Sequence, residues 1–284
     1  MRGLAVVLLT LGALLTSGLS AAADTGHYAK YVALGDSYTA GPLIPLQRLD
    51  PLGCARSTQN YPSQLAAKLH VTLDDVSCSG ADTANMTQPQ VVPLGINPPQ
   101  LNALDPDTDL VTVSIGGNDD NVFGNLVSTC PTLRAEDPTG NPCQRHYTSD
   151  GVDLIKAELV QTQQHIFAVL AEIHHRSPIA RVMVIGIPRI VPPTGTCPSV
   201  APFADGDYPW IDSVERSLNA AMSNAAAETS ASYVDTYGPS LGHDICAGAN
   251  AWINGQYLKL DAAPYHPNLA GMTGEANIIA RAMN

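Results

Sequence analysis

Apolar and polar positions along the chain fall into two textures. Short runs rich in β-branched residues, Tyr31–Leu34, Val71–Val76, Leu110–Ile115, Arg181–Ile185 and Ala231–Val234, break off at or near Gly or Asp. Between them, Pro62–His70, Val152–Arg176, Ile211–Thr229 and Pro267–Met283 carry apolar residues at helical spacing. Near-continuous apolar strands separated by helices predict an α/β fold whose central parallel sheet is covered on both faces. In such open sheets the ligand crevice lies beyond the carboxyl ends of the strands, and the polar, glycine-rich clusters of this chain fall there. Two Pro-rich stretches, Thr129–Asp150 and Pro188–Pro209, lack periodicity and are expected as ordered surface loops, the first closed by its own disulfide and the second tied to Gly242–Gly248. Neither an internal repeat nor a low-complexity linker interrupts the pattern.

The first residues follow a different rule. Arg2, an apolar run from Leu4 to Leu15 and small residues up to Ala23 make the pattern of a removable secretory leader over residues 1–23. This predicts an extracellular protein whose residues 24–284 form one domain, with no stable membrane insertion, because no other stretch is comparably apolar. Export changes the meaning of the six cysteines, Cys54, Cys78, Cys130, Cys143, Cys197 and Cys246, since an even count in an oxidising compartment reads as disulfides. Zinc is the rival reading, but no C-x-x-C pair occurs and His243 to Cys246 has no partner pair. Of the possible pairings, Cys54–Cys78, Cys130–Cys143 and Cys197–Cys246 is the simplest. With 14 Lys and Arg against 26 Asp and Glu, the net charge of −12 argues against nucleic acid or an anionic membrane as partner. A redox role is disfavoured, because no G-x-G-x-x-G follows a strand.

Four clusters carry chemistry-bearing residues. Gly35-Asp36-Ser37 follows the first strand, where a serine on a tight turn exposes its hydroxyl and leaves its own N–H free to donate. Gly80 follows the second, and Gly116-Gly117-Asn118-Asp119 the third. Each alone also reads as an ordinary turn or cap. Together, Ser37 N–H, Gly80 N–H and the Asn118 amide offer three donors to one oxygen. The segment is not the G-x-S-x-G elbow, because position 39 is Thr. The fourth cluster is Tyr265-His266-Pro267-Asn268, where Pro267 is suited to open the last helix and leave His266 in the loop before it. Imidazole is the natural base for a serine hydroxyl, and His243 is the one serious competitor.

In their order and their positions at strand ends, these clusters resemble the blocks of the SGNH hydrolases, the GDSL esterase/lipase family, and they span nearly all of residues 24–284. The resemblance implies a three-layer α/β/α flavodoxin-like sandwich, three sequential disulfides, no metal or other cofactor, and hydrolysis of carboxylic esters with Ser37 as nucleophile and His266 as base. The leader, the cysteine layout and the His-Pro-Asn ending look like the secreted actinobacterial members. Two departures stand out. Tyr38 replaces the leucine of the GDSL motif, with no expected effect on the chemistry. The aspartate that family members carry three residues before the histidine is Ala263 here, so the main-chain carbonyl of Ala263 is the favoured group to orient His266, with Asp261 the nearest upstream carboxylate.

The expected function is therefore that of a secreted, monomeric serine esterase or lipase acting on a small acyl-ester or lipid substrate. A phospholipase or carbohydrate O-deacetylase would use the same machinery, and a non-catalytic envelope-binding protein is the reading from another class. Val92-Pro93 and Asn97-Pro98-Pro99 point to a rigid segment near the site rather than a mobile lid.

Overall fold

The structure is a computed structural model and describes residues 28–284; the expected leader lies outside the described residues. From the amino end run β1 (Lys30–Gly35), the single-turn α1 (Ser37–Ala40), α2 (Tyr61–Leu69) and β2 (Thr72–Asp75). A hairpin of β3 (Gln90–Val92) and β4 (Gly95–Asn97) precedes β5 (Leu110–Ser114), α3 (Val122–Leu133) and α4 (Pro142–His146). A short ladder, β6 (Thr148–Ser149) with β7 (Val152–Asp153), leads into α5 (Leu154–Arg176), followed by β8 (Arg181–Ile185), α6 (Tyr208–Thr229), β9 (Ser232–Val234) and α7 (Leu269–Ala282).

The main sheet is parallel, in the order β2-β1-β5-β8-β9. Alternation along the strands divides the core in two. Val32 and Leu34 of β1, with Val111 and Val113 of β5, face Ile166 and Leu170 of α5 and Leu218 and Met222 of α6. Tyr31 and Ala33, with Met183 and Ile185 of β8, face Leu65 of α2 and Met272 and Ile279 of α7. The central strands are thus buried on both sides, which is why these runs read as near-continuous rather than alternating. The strand order reverses between β1 and β5, the position where open α/β sheets leave a crevice at their carboxyl edge.

The three expected disulfides, Cys54–Cys78, Cys130–Cys143 and Cys197–Cys246, are all formed. Two local expectations need correction. Part of the stretch expected as a loop over Thr129–Asp150 is helical: α3 continues to Leu133 with Pro131 in its last turn, and Pro142 opens α4. The last helix starts at Leu269 rather than at Pro267, because the Asn268 side chain accepts from the N–H groups of Ala270 and Gly271 and so makes the cap. Among the described residues, no helix is long and apolar enough to cross a membrane.

Candidate active site

The nucleophile candidate sits where β1 stops. Gly35 has φ +151°, and a Cβ there would lie 2.3 Å from the Thr39 hydroxyl and 2.6 Å from the Ser114 carbonyl, so only glycine lets the chain turn this tightly. Gln100 clamps the turn at two points, its Oε1 accepting from Gly35 N–H at 2.8 Å and its Nε2 donating to Gly35 O at 2.9 Å. Asp36 then caps α1 by accepting from Tyr38 N–H at 2.9 Å. Ser37 is consequently the first residue of a helix, where backbone donors lack intrahelical partners.

His266 meets Ser37 across the carboxyl edge of the sheet, with Nε2 2.7 Å from Ser37 Oγ. Its Nδ1 lies 2.7 Å from the carbonyl oxygen of Pro264. A carbonyl can only accept, so Nδ1 carries the proton and Nε2 is the acceptor for the Ser37 hydroxyl. The orienting group differs from both expected ones. The Ala263 carbonyl is taken by His266 N–H at 3.3 Å, closing a turn with Pro264 second and Tyr265 third, at φ 60°. That turn swings the next carbonyl, that of Pro264, under the ring. The Asp261 carboxylate accepts from Asn254 Nδ2 at 2.9 Å, and the ring nitrogens of His266 are met by Pro264 and Ser37 instead. His243, the competing histidine, instead stacks on Trp252 with ring centroids 4.5 Å apart and bonds the Asn250 carbonyl.

The three donor candidates come from adjacent strands, because Gly80 follows β2, Ser37 follows β1 and Asn118 follows β5. Gly80 has φ +77°. Asn118 Nδ2 donates one hydrogen to Ala81 O at 2.8 Å and keeps a second. Asp119 braces the same junction from below, accepting from Thr83 N–H at 2.9 Å and from Thr83 Oγ1 at 2.6 Å, with His165 Nδ1 at 3.0 Å. Beside Ser37 opens a pocket. Val122, Phe123 and Leu126 of α3, Ile187 after β8, and Val214 and Leu218 of α6 make it almost wholly apolar.

Residues 33–273 match the sequence profile of the GDSL-like lipase/acylhydrolase family. The chain belongs to that family. This GDSL-type ester hydrolase is 38% identical to lipase 2 of Streptomyces coelicolor over 94% of its own length and 90% of that protein's. Its fold is similar to that of phospholipase A1 from Streptomyces albidoflavus, with a TM-score of 0.75, 28% identity and coverage of 89% of this chain and 99% of that one. An extracellular lipase from Streptomyces rimosus has a TM-score of 0.68 at 27% identity, with the same coverage.

The electrostatics of this GDSL hydrolase follow from burial. The rings of Tyr38 and Phe123 lie 5.3 and 5.4 Å from that of His266. Desolvation pulls the imidazole down to about 4, opposed only by its bond to Pro264, so it is neutral over the whole ordinary pH range. Burial pushes Asp36 up to about 7, against the bond from Tyr38 N–H, and drives Glu215 at the pocket wall well above the usual carboxylate range. Sequence reasoning missed Gln100, Tyr38 and Pro264. Tyr38 lies against the site, since its hydroxyl donates to the Tyr265 carbonyl at 2.7 Å, within the turn that carries His266. Its position inside the GDSL-like motif was the available signal.

Proposed function

We propose that this ester hydrolase cleaves acyl esters of apolar fatty chains through a Ser37–His266 dyad. The observation that carries the reading is the 2.7 Å contact between His266 Nε2 and Ser37 Oγ in the tautomer a base requires. His266 takes the Ser37 proton as Oγ attacks the ester carbon. The carbonyl oxygen becomes an oxyanion facing Ser37 N–H, Gly80 N–H and the spare Asn118 hydrogen. His266 returns the proton to the leaving alcohol, and water repeats the cycle on the acyl-enzyme. The apolar pocket suits a fatty acyl chain and gives an acetyl group little to fill, which favours a lipase over a carbohydrate O-deacetylase. The likeness to a phospholipase A1 supports a second reading, in which the acyl ester belongs to a phospholipid.

The same proposal takes residues 24–284 as one secreted, monomeric domain after removal of residues 1–23, supported by the leader pattern, three disulfides and the extracellular relative. The test is a chain-length series of p-nitrophenyl esters with phospholipid micelles beside it. Turnover should vanish in Ser37→Ala, along with covalent labelling by an organophosphate. Asn118→Ala should lose about 10²–10³ in kcat. Unchanged turnover in Ser37→Ala would end the proposal.

A further inference from the structure

The β3–β4 hairpin has one face on the protein and one in solvent. Antiparallel register pairs Gln90 with Asn97 and Val92 with Gly95, and Val92 and Asn97 are buried. The intervening pair, Val91 opposite Ile96, projects from the other side, 83% and 61% exposed. The turn between the strands adds Leu94, 86% exposed. Its φ is +61°, a conformation that Gly or Asn adopts readily and a branched apolar residue rarely. A leucine here is unfavourable twice, in backbone and in solvation, and folding accounts for neither. Residues held in sparsely populated backbone regions cluster at functional sites, and this one is also the most exposed of the three apolar side chains.

The hairpin is packed on a crosslinked turn that leads to the site. Gly53 lies against Pro93 and Gly95 against Pro51, seating the hairpin on the turn at Leu52–Cys54, whose Leu52 is also exposed. Cys54 is bonded to Cys78, two residues before Gly80, and Gln90 Nε2 donates to Ser79 O at 2.9 Å. No charged residue occurs from Met86 to Leu104, while the chain as a whole carries −12. An apolar tip without cations, on an acidic protein, fits a surface that is itself uncharged or zwitterionic and not an anionic one.

We propose that the β3–β4 hairpin, through Val91, Leu94 and Ile96, docks the enzyme on a neutral or zwitterionic lipid surface and so presents Ser37 to esters held in aggregate. This rests on the reading of the substrate as a lipid ester. Binding is measured with Ser37→Ala protein, which leaves lipid intact, by co-sedimentation with phosphatidylcholine vesicles. Adding Val91→Thr, Leu94→Asn and Ile96→Thr should lower the partition coefficient at least tenfold, since Thr keeps strand propensity and Asn accepts the positive φ. With Ser37 intact, the triple variant should lose at least tenfold in rate on emulsified ester and stay within twofold on a dissolved short-chain ester, which also reports that it is folded. Absence of co-sedimentation, or equal co-sedimentation of the triple variant, overturns the proposal. So does a concentration-dependent dimer that the three substitutions abolish, because the face would then join two copies. Failure of the unsubstituted enzyme on dissolved esters would strike the functional reading instead and leave the vesicle result standing.

Discussion

His266 is held by a carbonyl dipole where a serine hydrolase commonly has a carboxylate. Both fix the tautomer, but only a carboxylate adds charge to stabilise the imidazolium formed in the reaction. With Asp261 turned to Asn254, Asp261→Asn should keep near wild-type kcat; a loss of about 10⁴ would mean that a true triad forms during turnover. The lowered imidazole sets the pH response. A base that stays neutral down to about 4 should put the acid limb of its own titration in kcat/KM on a dissolved ester well below the ordinary 6.5 of histidine, apart from any step near 7 from Asp36 beside Ser37. A limb near 6.5 would show that water reaches the ring and that Tyr38 and Phe123 do not exclude it.

Among the elements, α3 and α6 face each other across the pocket and define what enters it. Val214 is buried within α6, so Val214→Trp fills space an acyl chain would take. It should cut kcat/KM for decanoyl esters about tenfold or more while sparing acetyl esters, since room for even one methylene in an apolar pocket is worth about tenfold or more. A uniform loss along the chain-length series would place the acyl group elsewhere. The central strands were legible in the sequence because burial on both faces leaves unbroken runs such as Leu110–Ile115. α3 was not, because Gly124, Pro131 and the disulfide cysteine Cys130 blur its period, and two three-residue strands around Val92-Pro93-Leu94-Gly95 are too short to show alternation. Ser37, Gly80, Asn118 and His266 could be read because side-chain type or glycine marks them. The Pro264 carbonyl could not, since every residue has one, and its aim depends on the φ of Tyr265.

For the molecule as a whole, buried acids govern stability against pH. Asp36, Asp75, Glu215 and Glu275 all titrate above their ordinary values because of burial, and Glu275 Oε1 has no partner among the described residues. A carboxyl raised in the folded state binds more protons there than in the unfolded chain, so stability falls as pH climbs from about 4 through about 7. His266 acts in the opposite sense below 6.5, as one group against several. Urea denaturation should therefore show greater stability near pH 5.5 than at 8.5, and Glu275→Gln should raise the value at 8.5 and flatten the slope. A rise in stability over that interval would contradict the account. The Cys54–Cys78 crosslink acts on the same scale. Its closure is worth about 3.5 kcal/mol in chain entropy and joins the turn under the β3–β4 hairpin to the segment bearing Gly80. A chain with reduced thiols lacks that strap, so the hairpin and the segment bearing Gly80 lose a shared anchor together, and reducing this one bond should loosen both at once.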